Sequence, residues 1–301
     1  MYKLYYFASL IVLYLPRRPV LALSRFIGLL AWLFAKDARE QATRNMLHVF
    51  GPDIQSSRAG RRRLHKTVRG IFQNSARNYL EALYLPHLKA EAILRSMPYI
   101  EGIEHLEAAL AQGKGVILFS AHFGPFDYIA QWFAAKGYSI TIPVEHLQDE
   151  RMLALVLKLR RALGVQFTPL GGSAPLRTMI SALRKNQLVV LTTDRGVQGE
   201  YVEVPFFGAP ARLPAGAVTL AQRTGAILLG AFGWRESSTR YGGRFIPVTL
   251  ALPEEERANS ELLQRKIVEA MEEVIRTRPD QWAVFFPIWN EAATPAPSTS
   301  A

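Results

Sequence analysis

The sequence contains no cysteine. That absence excludes a disulfide scaffold, a thiolate metal site and a cysteine nucleophile together. Acids are nearly missing from the first quarter, where residues 1–77 hold only Asp37, Glu40 and Asp53. Long apolar runs are missing as well. Residues 4–15 are uncharged and apolar, and residues 20–35 carry one charge, Arg25. Neither reaches the roughly 18–20 residues that a simple spanning helix needs. Lys3 is the only early cation and no small-x-small cleavage site follows, so the segment is a poor signal peptide. There is no G-x-S-x-G elbow, so a serine-hydrolase triad has no support. The six histidines are scattered without metal-ligand spacing, and no metal is expected.

What is present is strongly uneven. The 301 residues carry 36 Lys and Arg against 25 Asp and Glu, a net of +11. Residues 1–77 hold 14 of the cations and three of the acids, which accounts for the whole excess, and the remaining 22 of each sign cancel. A nucleic-acid enzyme would spread its cations over the body that holds the substrate, so no nucleic-acid partner is expected. The two apolar runs are separated by Pro16-Arg17-Arg18-Pro19 and followed by Lys36, Arg39, Arg44, Arg58, Arg61, Arg62, Arg63, Lys66 and Arg69. Two apolar helices with a Pro/Arg elbow and aromatic ends read as a re-entrant or interfacial anchor. The cations beside it read as attraction to anionic lipid heads, each worth on the order of 1 kcal/mol. Residues 1–77 are therefore expected to dock on an anionic bilayer, peripherally or monotopically, at the cytoplasmic face of a cell (inner) membrane. Two core helices with a solvated basic face are the other reading of the same pattern.

From about residue 100, short apolar runs alternate with amphipathic ones. Strands are expected at Val116–Ser120, Tyr138–Val144, Val165–Thr168, Gln187–Thr193, 226–232 and 244–250. Helices are expected at Pro125–Lys136, Gln148–Leu163, 174–185, 214–224 and 259–276. In the second of these, Met152, Leu155, Val156, Leu159 and Leu163 form the apolar face. The alternation predicts an α/β fold with a central, mostly parallel sheet flanked by helices. It is preceded by the helical docking segment 1–77, occupies 78–290, and ends in a small-polar, Pro-rich tail, 291–301, expected to be disordered.

The richest segment is Ser120-Ala121-His122-Phe123-Gly124-Pro125-Phe126-Asp127. His122 leaves a buried strand and Asp127 falls in the first turn of the next helix, at the strand end where open α/β sheets bind ligands. A tight Gly124-Pro125 turn is expected to bring Asp127 back to the His122 ring, fixing its tautomer and leaving the other nitrogen as a base. An acid in a first helical turn is also favoured by the helix dipole alone. A base without a protein nucleophile suits activation of a substrate hydroxyl.

H-x4-D after an apolar strand, combined with Val202-Glu203-Val204-Pro205-Phe206-Phe207-Gly208, Pro214-Ala215-Gly216 and Pro279-Asp280-Gln281-Trp282, resembles the lysophospholipid acyltransferase superfamily. The likeness extends from Arg44-Asn45-Met46 and Val49-Phe50-Gly51 to the end of the body, and is greatest to the branch of lipid A biosynthesis and phosphatidylinositol mannoside acyltransferases. The resemblance implies acyl transfer from acyl-CoA or acyl-carrier protein, as donor substrate and not cofactor, to a hydroxyl of a glycolipid or phospholipid in the membrane. It implies that His122 deprotonates the acceptor hydroxyl with Asp127 as partner. By the same resemblance Glu145, Arg160 and Asp194 are substrate-site residues. Asp194, in Thr193-Asp194-Arg195-Gly196, stands where the mannoside branch has a glutamate, Gly196 replaces an acid, and Pro125 stands where the lipid A enzymes have asparagine. Arg212 is a further cation for a donor phosphate. Glu145 also fits as a loop or capping acid, Arg160 as a solvated helix cation and Asp194 as a turn former. Two other functions share these residues: a thioesterase or hydrolase using the same dyad on water, and a non-catalytic membrane lipid-binding protein.

Overall fold

The computed structural model describes residues 2–195 and 199–289. The expected disordered tail and Gly196 lie outside the described residues. The chain begins with four helices, α1 (Tyr2–Ile11), α2 (Arg17–Phe34), α3 (Lys36–Phe50) and α4 (Arg58–Tyr84). The elbow forms where the sequence places it, because Pro16 lacks a donor and sits extended ahead of α2. Ser57 caps α4 by accepting the Gly60 N–H. The 27-residue α4 crosses the expected boundary at residue 77 without a break. Buried residues on both α3 and α4, among them Met46, Leu64, Val68 and Ile71, belong to the same core as the strands Val116–Ser120 and Leu188–Thr192. The basic quarter is thus exposed on one side and built into the fold on the other.

The two short helices α5 (Ala90–Ser96) and α6 (Ile103–Ala111) lead to the sheet. Its strands are β1 (Val116–Ser120), β2 (Ile140–Val144), β3 (Gln166–Pro169) and β4 (Leu188–Thr192). After a separate hairpin, β5 (Tyr201–Phe206) and β6 (Ala209–Pro214), come β7 (Ile227–Arg235) and β8 (Tyr241–Pro247). The sheet order is β3-β2-β4-β1-β7-β8, and every pairing is parallel except β7 with β8. The expected mostly parallel sheet is present. β1 is central, and its residues Val116 to Phe119 are fully buried. Val116 and Leu118 face a core shared with α5, α6, α7 (Phe126–Ala135) and α8 (Glu150–Arg160). Ile117 and Phe119 face the other core, closed by α3, α4, α9 (Ala174–Arg184), α10 (Gly216–Thr224) and α11 (Ser260–Thr277).

Three expectations change. On α8 the buried residues are Leu153, Leu155, Leu157 and Leu159, while Met152 and Val156 are only partly covered. The helix is clamped on two sides: Leu153 and Leu157 meet the sheet core, and Leu155 and Leu159 meet Val12, Val20 and Leu83 of the N-terminal helices. The second change is the β5–β6 hairpin, which the alternation of strands and helices does not announce. Pro205 and Pro210 face each other across it. Proline argues against a central strand but is tolerated in a two-stranded ribbon, whose outer edges carry, among the described residues, only an isolated bridge from Ala211 to Trp289. Strand β8 also lies a few residues earlier than expected and runs antiparallel at the edge.

Candidate active site

β1 and β4 lie side by side in parallel, with Ser120 level with Thr192. Continuing that register by two residues sets His122 opposite Asp194. Thr193 N–H donates to the Ser120 carbonyl at 2.8 Å, which extends the pairing past the strand ends. The His122 ring Nδ1 lies 2.9 Å from Asp194 Oδ1, and the His122 backbone N–H donates to Asp194 Oδ2 at 2.9 Å. The partner of His122 is thus Asp194 and not Asp127, which corrects the expectation drawn from the H-x4-D spacing.

Asp127 is held elsewhere. The first turn of α7 points it at the last turn of α8, where Arg160 Nε meets its Oδ1 at 3.0 Å. Gln131, one turn further along α7, donates to the Arg160 carbonyl at 2.7 Å and accepts the Leu163 N–H at 3.1 Å, so the two helix ends are locked together. The tight turn expected at Gly124 is real, with φ +62°, and a Cβ there would lie 2.0 Å from the Gly233 carbonyl oxygen. It sets the direction of α7 without returning Asp127 to the ring.

The two carboxyls differ in electrostatics. Burial would raise Asp194, but the His122 charge, two hydrogen bonds from His122 and one from Trp282 outweigh it and hold the carboxyl below its ordinary value. Burial raises Asp127, and the Arg160 guanidinium offsets only part of that cost. For His122, burial acts to lower the imidazole, yet the Asp194 charge and hydrogen bond carry it above the ordinary value of 6.5, with Arg195 lowering and Glu145 raising it further. With the proton on Nδ1 directed at Asp194, Nε2 is left as the acceptor, and the side chain is 29% exposed. Nε2 has no hydrogen-bond partner among the described residues.

Glu145 follows β2 and pairs with Arg195 at 3.4 Å, both partly exposed. The structure therefore brings His122, Asp194, Arg195 and Glu145 together at the carboxyl ends of β1, β4 and β2, beside the Asp127–Arg160 pair. Arg212 is not part of this group. It lies on the solvent side of β6, over the Tyr201 ring at 5.5 Å. No group of three or more His, Asp or Glu among the described residues is placed to hold a metal. A fixed imidazole with one open nitrogen, and no serine or lysine hydrogen-bonded to it among the described residues, can take a proton from a bound hydroxyl but offers no nucleophile of its own.

Comparison with known proteins gives this chemistry its setting. Residues 1–291 match the family described as bacterial lipid A biosynthesis acyltransferase. The chain belongs to that family. It is similar to the phosphatidylinositol mannoside acyltransferase of Mycobacterium tuberculosis, with 30% identity over 220 residues that cover 72% of this chain and 68% of the relative. It is similar too to the phosphatidylinositol mannoside acyltransferase of Mycolicibacterium smegmatis, with 27% identity over 257 residues that cover 83% and 79% of the two chains. The protein is therefore an acyltransferase of a family that acylates glycolipids. Within this family setting, two site residues escape sequence reasoning. Arg195 was visible only as the neighbour of Asp194. Trp282, which reaches Asp194 from the far end of the chain, was visible only as part of a shared motif.

Proposed function

We propose that this acyltransferase moves a fatty acyl chain from an acyl thioester, acyl-CoA or acyl-carrier protein, to a hydroxyl of a glycolipid or phospholipid at a membrane surface. The observation that carries the reading is the His122 ring, fixed through Nδ1 by a buried carboxylate and open at Nε2. The acceptor hydroxyl oxygen attacks the thioester carbonyl carbon as its proton passes to Nε2. A C–O bond forms, the C–S bond breaks, and the imidazolium returns the proton to the departing thiolate. Asp194 orients the ring and stabilises the imidazolium. Asp127 and Arg160 keep α7 and α8 in place beside it, and Glu145 and Arg195 are the partly exposed polar groups that a sugar or phosphate would meet. Since the similar mycobacterial proteins are named for phosphatidylinositol mannosides, mannose-bearing phosphoinositides are the first acceptors to try.

Membrane docking rests on a separate observation. Tyr14 is 89% exposed, Phe34 80% and Phe7 58%, and Leu23 and Phe26 lie open on α2. Such exposure on the first two helices and the turn between them, next to the basic side of α3 and α4, supports shallow insertion. No single helix among the described residues is long and apolar enough to cross a membrane, although Pro19–Phe34 and Lys36–Phe50, bent by 94°, pass that test as a pair. The test of the reaction is His122→Ala with labelled acyl-CoA and acyl-carrier protein and with lipid extracts as acceptors. Transfer should fall by about 10²–10⁴-fold with the thermal transition retained. Full transfer in that variant would overturn the mechanism, and donor hydrolysis that no lipid acceptor diverts would replace it with a thioesterase.

A further inference from the structure

The Pro279-Asp280-Gln281-Trp282 segment follows α11 and lies far in sequence from the dyad, yet it touches both of its members. Trp282 is fully buried, and its indole Nε1–H donates to Asp194 Oδ2 at 2.8 Å. Its main chain runs antiparallel to the His122 loop, with a bridge between Phe123 and Trp282. Ala283 N–H donates to the His122 carbonyl, and Gly124 N–H to the Gln281 carbonyl, each at 2.9 Å. The segment is itself anchored. The Gln281 amide is bonded through both ends to the Arg235 backbone at 2.9 Å, and Asn74 donates to the Asp280 carbonyl at 2.9 Å.

Among the described residues, Asp194 thus accepts from the His122 ring, the His122 backbone and one donor outside the dyad, the Trp282 indole. The fold does not require every buried indole to be bonded, since Trp132 and Trp234 have buried Nε1 atoms without a partner among the described residues. An N–H aimed at a carboxylate is strong because the acceptor is charged, and its positive end reduces the negative potential that the neighbouring ring feels.

We propose that Trp282 is a positioning residue for His122 that acts through Asp194: its N–H fixes the carboxylate on ring Nδ1 and draws off part of the charge that the ring feels. The proposal rests on His122 being the base. Without the indole N–H, Asp194 holds the imidazolium more tightly, and the ring is protonated to a higher pH. Among the described residues, the other charged groups facing the ring are Arg195 and Glu145, which pair with each other.

The experiment is a pH titration of the histidine ring signals, by NMR on the full-length chain, with the His122 signal identified by its loss in His122→Ala. Trp282→Phe removes the donor, and 3-benzothienylalanine introduced at position 282 replaces the N–H by sulfur while keeping the ring's shape, which covers the case in which the phenylalanine variant does not fold. The His122 midpoint should rise by about half to one pH unit, where one unit is a tenfold change in proton affinity. The acidic limb of acyl transfer should move up with it. A folded variant with an unmoved or lowered midpoint overturns the proposal, even if its thermal stability is reduced, because a packing role would give that result. A raised midpoint in a protein that transfers acyl chains to no lipid supports the role of Trp282 and overturns the acyl-transfer reading instead.

Discussion

A buried carboxylate stays ionised only where donors and a cation surround it. Asp194 meets that condition with three hydrogen bonds, two of them from the residue it serves. Asp194→Asn keeps the shape and removes the charge. Burial then acts on His122 without opposition from Asp194, so the acidic limb of the rate profile should move to lower pH while the plateau rate falls, a pair of changes that a pH series of initial rates resolves. The same residues set the pH dependence of stability. Asp194 is held below its ordinary 3.8, so its contribution is present above that value and lost as pH falls through its depressed folded-state value. His122 is held above 6.5, so its contribution is full below 6.5 and lost as pH rises through its raised value. The dyad therefore stabilises the fold most between these two ordinary values. With His122 as the proposed base, transfer needs it neutral and should instead increase above that window. Melting temperature and rate, measured across pH 4–9, should diverge on the alkaline side.

At the scale of elements, the site depends on the register of β1 and β4 and on one turn. Gly124 has left-handed φ and no room for a side chain, because a Cβ would meet the Gly233 carbonyl oxygen at 2.0 Å. Gly124→Ala should destabilise the protein by more than about 1 kcal/mol and lower transfer disproportionately, checked by thermal melts alongside rates. The strand and helix alternation was legible because central parallel strands are continuous apolar runs, and V-I-L-F at 116–119 can hardly be anything else. The hairpin was not legible, since its prolines suppress the strand signal. The dyad partner was half legible. His122 and Asp194 each stand two residues beyond the end of a parallel strand, a symmetry open to inspection in F-S-A-H and L-T-T-D. What the sequence does not contain is strand order, and only the adjacency of β1 and β4 makes those two ends meet. Proximity along the chain favoured Asp127, which packing assigns to Arg160.

Across the whole molecule, charge and apolar exposure fall on the same end. The net of +11 in residues 1–77 was legible from counting alone, but its other half was not: Met46, Leu64, Val68 and Ile71 on those same helices are buried in the main core. The N-terminal layer both faces outward and supports the site. Near its start, Tyr5 donates to the Tyr79 carbonyl at 3.4 Å, and its hydroxyl is pushed up to about 12 by burial, with Arg160 and Asp127 acting on it in opposite directions. Helix α1, which carries part of the exposed apolar patch, thus packs on α8 near the Asp127–Arg160 pair. Phe7→Ser combined with Phe26→Ser should weaken sedimentation with anionic liposomes by about tenfold or more, given the apolar area withdrawn. It should leave the melting temperature little changed, because both side chains are largely exposed.

The order of parts along the chain has a further consequence. The four helices that carry the apolar patch and the cations are all complete by Tyr84. The proposed base is assembled from His122, then Asp194, then Trp282. During synthesis, which delivers the N-terminus first, the proposed means of reaching a bilayer exists some two hundred residues before the last donor to the carboxylate leaves the ribosome. The protein is addressed before it is armed.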